Sequence, residues 1–168
     1  MRLISSVLVL SFMATLFQSC GFYSFSGTSI PADVESFSVG FFENRASLNS
    51  PLLSQTLTES LKQKFISETN LSITENSGDF DFTGYISNFV IAPVSAQSTD
   101  NASLNRLTIT VNVKLKCEKK PDIAFEQNFS NFQDFDANEN FSAVEDELVK
   151  EITDMLVQQV FNKAAINW

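Results

Sequence analysis

One alternation constrains this chain more than any other stretch. Leu107, Ile109, Val111, Val113, Leu115 and Cys117 are apolar, and the residues between them, Arg106, Thr108, Thr110, Asn112, Lys114 and Lys116, are polar. Strand side chains alternate between two faces, so this pattern demands a strand with one face on a core and the other on water. Sheets wet on one face are in general antiparallel. Lys119-Lys120-Pro121-Asp122 then reads as a turn, and Ile123-Phe125-Gln127-Phe129 as the strand that pairs back.

Other segments fit the same plan. Alternation over Glu35–Phe41 predicts a strand with Phe37, Val39 and Phe41 inward. Leu71-Ser72-Ile73 is a short strand, Asn76-Ser77-Gly78-Asp79 a turn, and Phe80-Asp81-Phe82-Thr83 alternates again. Gly84 interrupts that pattern and suggests a bulge or strong twist, and Pro93 is expected to end the strand. Ser95 to Ser103 is a polar hairpin loop. Ser50-Pro51 opens a helix expected to run to about Glu68, with Ser50 as N-cap and a stripe of Leu53, Leu57, Leu61 and Phe65 flanked by Leu52 and Ile66. Ser142-Ala143-Val144-Glu145 has the spacing of a capping box, placing Glu145, Asp146 and Glu147 in the first turn of a second helix. Its stripe is Val144, Leu148, Ile152, Met155/Leu156, Val160 and Ala164, and Phe132, Phe135 and Phe141 precede it in an acidic, Asn-rich stretch. The order is β-β-α-β-β-β-β-α. It predicts an α+β two-layer sandwich, a mostly antiparallel four- to five-stranded sheet with two amphipathic helices on one face.

The N-terminus carries a different signal. Behind Met1-Arg2 an uncharged apolar run extends from Leu3 to Phe17, and Gln18-Ser19-Cys20-Gly21 follows. This is the layout of a secretory signal peptide, too short and too broken by Ser and Thr for a transmembrane anchor. A cysteine at the cleavage point predicts a lipoprotein signal over residues 1–19. Cys20 then becomes the lipid-bearing N-terminus of a single domain, 20–168. A plain signal peptide cut just before a cysteine is the competing reading, and Phe17 stands where the commonest lipoprotein signal has Leu. The segment Cys20 to Gly27 reads as extended chain leaving the lipid.

Composition excludes several classes of function. The chain has no histidine, which removes Ser-His-Asp and Cys-His sites and the commonest metal ligand. Net charge is −9, against nucleic-acid binding, which needs a basic footprint. Asp79-Asp81 and Asp134-Asp136 are the paired carboxylates, and turn chemistry explains them better than a calcium or acid–base site, since no EF-hand spacing is present. Cys117 reads as a buried small hydrophobe. Sequons at Asn70, Asn101, Asn128 and Asn140 read as chance in an Asn- and Ser-rich chain. No catalytic residue, metal site or cofactor is expected. Seventeen Phe against two Tyr and one Trp point to a large apolar core or contact surface.

One cluster runs against the acidity. Arg106, Lys114, Lys116, Lys119 and Lys120 fall within fifteen residues, with Glu118 the sole acid among them. Such a strip can hold phosphate or sugar-acid groups. It is equally readable as a solvated face or as lysines that guard a sheet edge.

Taken in order, Cys20-Gly21-Phe22-Tyr23-Ser24-Phe25, the Asn44 loop, Pro51-Leu52-Leu53-Ser54-Gln55-Thr56-Leu57-Thr58-Glu59 and Thr69-Asn70-Leu71 form the first half of a familiar set. Gly78-Asp79-Phe80, Leu104-Asn105-Arg106-Leu107-Thr108-Ile109, Val144-Glu145-Asp146-Glu147-Leu148 and Phe161-Asn162-Lys163-Ala164 complete it. Together they resemble the LptE-like family, lipopolysaccharide-assembly lipoproteins of Gram-negative outer membranes. The resemblance implies a non-enzymatic protein of the outer membrane; Gly21-Phe22-Tyr23 after the cysteine are uncharged, with no acidic tract of the kind that sends lipoproteins to the cell surface, which places the lipid-held domain on the periplasmic side. The resemblance implies a role as plug and assembly partner of the large β-barrel that inserts lipopolysaccharide into the outer leaflet. It also implies lipopolysaccharide binding, for which the residues from Arg106 to Lys120 are the candidates. A lipoprotein that holds a small apolar ligand or lipid in a Phe-lined pocket between helices and sheet is the alternative.

Overall fold

The computed structural model describes residues 29–48, 50–94 and 103–166. Six strands, β1 (Ser36–Val39), β2 (Glu43–Asn44), β3 (Ser72–Ile73), β4 (Phe80–Val94), β5 (Leu104–Lys116) and β6 (Phe125–Asp136), form one sheet. Two helices, α1 (Pro51–Glu68) and α2 (Phe141–Ala165), pack on it. The fold is α+β, with two helices where expected, and β2 is a strand that the sequence pattern does not predict. The expected first extended segment, over Cys20–Gly27, and the loop from 95 to 102 lie outside the described residues.

The sheet is larger and more mixed than expected. Its order is β3-β1-β4-β5-β6, with β2 also paired to β4. The β4–β5–β6 meander is antiparallel, whereas β1 pairs parallel with both β3 and β4 and β2 pairs parallel with β4. The physical reason is α1. A strand that leaves through a helix returns on the same face running in the same direction, and hairpins alone reverse it.

Alternation governs the core as the β5 pattern requires. Leu107, Ile109, Val111, Val113, Leu115 and Cys117 are buried, facing Phe80, Phe82, Ile86 and Phe89 of β4 and Phe129 and Phe135 of β6. Leu53, Leu57, Leu61 and Phe65 of α1 and Leu148, Ile152, Leu156, Val160 and Ala164 of α2 close it from the other side. Leu52 and Ile66, which flank the α1 stripe, are exposed. The Phe65 ring sits at the meeting point, with centroids 5.5 Å from Phe37, 4.8 Å from Phe82 and 5.1 Å from Phe161. Offset and edge-on contacts of this kind add to plain burial.

Several local expectations are corrected. β1 stops at Val39, so Phe41 is 63% exposed and Phe42 is fully buried. The Phe42 amide donates to Thr58 Oγ1 at 3.1 Å, which pins the turn against α1. Gly84 lies in regular register with Val113, and the bulge falls at Ser87, between Ile86 and Asn88. β4 runs through Pro93 to Val94, because beyond the bulge the odd-numbered residues turn their backbone away from β5 and Pro93 lacks only a donor that would point off the sheet. β6 extends to Asp136, so Phe132 and Phe135 belong to a strand and face opposite sides. The N-cap of α2 is Asn140, whose side chain accepts from the Ser142 amide, and no acid lies in the first turn. Glu145 accepts instead from Ser50 Oγ at 2.9 Å. Ser50 occupies the N-cap of α1 without a side-chain cap bond, and its hydroxyl joins the starts of the two helices.

Candidate functional site

The open face of the sheet carries the basic strip. Even-numbered residues of β5 point outward there, each flanked by a residue of β4 and one of β6. Lys114 sits between Thr83 and Glu126, Asn112 between Tyr85 and Asn128, Thr110 between Asn88 and Ser130, and Arg106 between Ala92 and Asp134. These cross-strand neighbours bond one another. Asn112 donates to Asn128 Oδ1 at 2.9 Å, and the Thr110 and Ser130 hydroxyls lie 2.9 Å apart.

The five cations do not form one patch. Arg106 and Lys116 are ten residues apart on one strand, about 33 Å at strand rise. At one end, Arg106 grips Asp134 with two bonds, Nε to Oδ1 at 2.7 Å and Nη2 to Oδ2 at 2.9 Å, and its guanidinium lies 3.7 Å from the Phe132 ring centroid. The fork holds the Asp134 carboxyl below its ordinary pKa and raises that of Arg106. At the other end, Lys114 pairs with Glu126 at 3.3 Å and Lys120 with Asp33 at 3.9 Å. Lys119 Nζ contacts Asp79 Oδ1 at 2.8 Å and donates to the Asp33 carbonyl at 2.7 Å. Lys116 is exposed and has no ion-pair partner among the described residues.

Asp79 is the hub of this second end. Lys119 donates to it first of all, then the Glu35 amide and the Ser36 hydroxyl, and together they hold its pKa down to about 2. Its neighbour Asp81 accepts from Ser38 Oγ at 2.7 Å. Both acids of the Asp79-Asp81 pair therefore tie β1 to β4. Of the other pair, Asp134 serves Arg106 and Asp136 accepts from the Asn138 amide in a turn. Among the described residues no group of three or more Cys, Asp and Glu is placed to hold a metal ion. Cys117 is a buried free thiol. Cys20 lies outside the described residues.

Where a Phe-lined pocket is expected, between helices and sheet, Phe37, Phe65, Phe80 and Phe82 are fully buried and the Phe65 ring packs on Phe37 and Phe82. Clefts occur elsewhere. One of about 430 Å³ runs beside β3 between Ile30, Val34 and Leu71, and another of about 430 Å³ lies between the outer sides of the helices, lined by Lys64, Glu68, Asp154 and Gln158. Residue-by-residue reading missed an apolar row, Val90–Thr108–Phe132, which crosses the open face near the hairpin end. Val90, Leu104 and Phe132 are all exposed there. The signal for it was available, since Phe132 is even-numbered within a stretch that alternates in step with Phe129 and Phe135.

Comparison with known proteins now applies to this geometry. The model of the LptE lipopolysaccharide-assembly family matches residues 34–164, from before β1 to the end of α2. The chain belongs to this family. A comparison with curated protein sequences finds no match. Among solved structures it is similar to a minor lipoprotein from Acinetobacter baumannii, at 12% identity, TM-score 0.52, over 77% of this chain and 91% of that one. A hypothetical protein from Chlamydia trachomatis aligns at 10% identity, TM-score 0.54, over 77% of this chain and 95% of the other. A protein from Xanthomonas campestris aligns at 14% identity, TM-score 0.54, over 80% and 88%. At these identities the likeness establishes a shared fold. As a member of the LptE family, the chain takes its place in lipopolysaccharide assembly. No helix among the described residues is long and apolar enough to cross a membrane.

Proposed function

We propose that this LptE-family protein is an outer-membrane lipoprotein, anchored through lipid on Cys20 and facing the periplasm. In this reading it is the plug and assembly partner of the β-barrel that inserts lipopolysaccharide into the outer leaflet. The family match over residues 34–164 carries the reading. The sequence supports the anchor, since an apolar signal ends at Cys20, and the periplasmic side, since no acid follows before Asp33. A large Phe-rich core and a chain without histidine suit a protein that works by fitting a partner and not by catalysis. Extraction of the full-length chain from its native membrane in mild detergent should bring a large barrel protein with it. Extraction without one overturns the reading.

Arg106, Lys114, Lys116, Lys119 and Lys120 are proposed to meet the anionic groups of lipopolysaccharide, and the geometry ranks them. Lys116 offers its charge with no partner to displace, Lys114 and Lys120 hold theirs in exposed pairs that water already weakens, and Lys119 and Arg106 are committed to Asp79 and Asp134. Lys116→Glu together with Lys120→Glu should weaken lipopolysaccharide binding without changing thermal stability. Unchanged binding reduces the strip to a solvated face.

A further inference from the structure

β6 is the last strand of the sheet, and among the described residues no strand pairs with its far side. It runs twelve residues, Phe125–Asp136, and pairs with β5 without a bulge. The direction of its backbone groups can be derived. Ser87 Oγ donates to the Thr110 carbonyl, so even-numbered residues of β5 turn their backbone toward β4 and odd-numbered ones toward β6. The 3.4 Å contact of Ser130 Oγ with the Ile109 carbonyl agrees. Directly paired residues of an antiparallel ladder either exchange both bonds or neither. Odd-numbered residues of β6 therefore bond to β5, and Glu126, Asn128, Ser130 and Asp134 send their N–H and C=O groups off the sheet. The Phe132 amide in the same row is taken by Asn131 Oδ1.

Other edges of this sheet are blunted by length or proline and this one is not. β3 is two residues long, and the part of β4 beyond β2 carries Pro93. Short strands, proline, bulges and charged side chains, lysine above all, are the usual ways of closing an edge. β6, Phe-Glu-Gln-Asn-Phe-Ser-Asn-Phe-Gln-Asp-Phe-Asp, is long and has no proline, lysine or bulge; its charges are all acidic, and no other strand pairs with its far side among the described residues.

We propose that the far edge of β6 is a strand-addition site for an extended segment of a partner polypeptide that carries Lys or Arg. An extended chain presents alternating N–H and C=O groups at the spacing this edge requires. Charge selects the occupant. β6 carries Glu126, Asp134 and Asp136 and no basic residue. A second copy pairing antiparallel about Ser130 would set Glu126 against Asp134 twice, on chains of net charge −9, and like charges directly opposite are destabilising. A basic-sided segment meets the same acids favourably. This goes beyond the barrel reading, which names a partner and no contact surface.

The test compares two variants of the full-length chain extracted from its native membrane and weighed by native mass spectrometry. Ser130→Pro removes the outward N–H and leaves the β5 ladder. Ser130→Ala removes the same hydroxyl and keeps the N–H. A polypeptide bound to wild type and Ser130→Ala should fall about tenfold or more in Ser130→Pro, the scale of a lost main-chain pair with a proline ring in the way. Hydrogen exchange on the wild-type protein is a second measurement that needs no variant. In the isolated protein the amides of Asn128, Ser130 and Asp134 should exchange fast beside protected Asn131 and Gln133, and in the complex they should be protected. A barrel protein retained by Ser130→Pro, with those amides still exchanging, overturns the edge proposal and leaves the proposed function standing. A non-barrel partner lost in Ser130→Pro does the reverse. Extraction as a dimer of this chain, or with no bound polypeptide, overturns the edge proposal.

Discussion

Asp79 shows how one carboxylate can tie three segments together. It receives Lys119 from the β5–β6 turn and the Glu35 amide and Ser36 hydroxyl from the start of β1, while itself standing at the start of β4. Its folded pKa of about 2 lies below the ordinary 3.8. A depressed folded value means that its stabilisation is complete above pH 4 and is lost as pH falls from about 4 toward 2. Thermal melts from pH 6 to pH 2 should show a falling midpoint in the last two units, and Asp79→Asn should flatten that fall. Gly84 is a second residue with a specific job. A Cβ there would overlap the Asn112 carbonyl oxygen and sit 2.6 Å from Phe42 Cε1. Gly84→Ala should therefore cost about 1–3 kcal/mol through overpacking, read as a lower denaturation midpoint at unchanged slope. Sequence inspection singled out Gly84 and gave it the wrong role. The residue that needs the space, Phe42, is distant in sequence and became inward only because β1 ends two residues earlier than alternation suggests.

At the scale of elements, the helices were the most legible. α1 runs from Pro51 to Glu68, as its four-residue apolar repeat and Ser-Pro start predict. Its cap was not legible, because the Ser50 hydroxyl turns to Glu145 of α2, ninety-five residues away. The start of α2 was displaced for a related reason. Asn140 and Ser142 are both capable caps, and the choice between them depends on burying Phe141, whose ring lies 6.2 Å from Phe89 and 5.9 Å from Phe135. Starting the helix two residues later would leave Phe141 outside it and withdraw that ring from the core edge. Asn140→Ala should cost about 1 kcal/mol, measurable by chemical denaturation, whereas Ser142→Ala should cost a few tenths at most. An equal loss at both positions would restore Ser142 as the cap.

At the scale of the whole molecule, one core serves every element. Phe65 from α1 touches rings from β1, β4 and α2. Phe65→Ala should cost about 3–5 kcal/mol, a large share of the roughly 5–15 kcal/mol available to a domain of this size. Because the ring joins all layers, unfolding of the wild type should remain a single transition, with far-UV and near-UV circular dichroism coinciding. Separate transitions for helices and sheet would contradict a shared core. The candidate site obeys the same scale argument. Five cations close together in the chain become two groups at opposite ends of β5, since a strand rises about 3.3 Å per residue and spreads its sequence neighbours in space.

The sequence by itself determined the periodicities, and through them the two helix faces, the buried face of β5 and the α+β class. Those follow from where apolar residues recur, which is local information. Only the tertiary structure decided pairing. It made β1 and β3 parallel neighbours, left Pro93 on an edge, gave Arg106 to Asp134 and Lys119 to Asp79, and left β6 with no described strand on its far side. Hydrogen-bond partners and ion pairs depend on which distant segments are brought within about 3 Å, and no period along the chain encodes that.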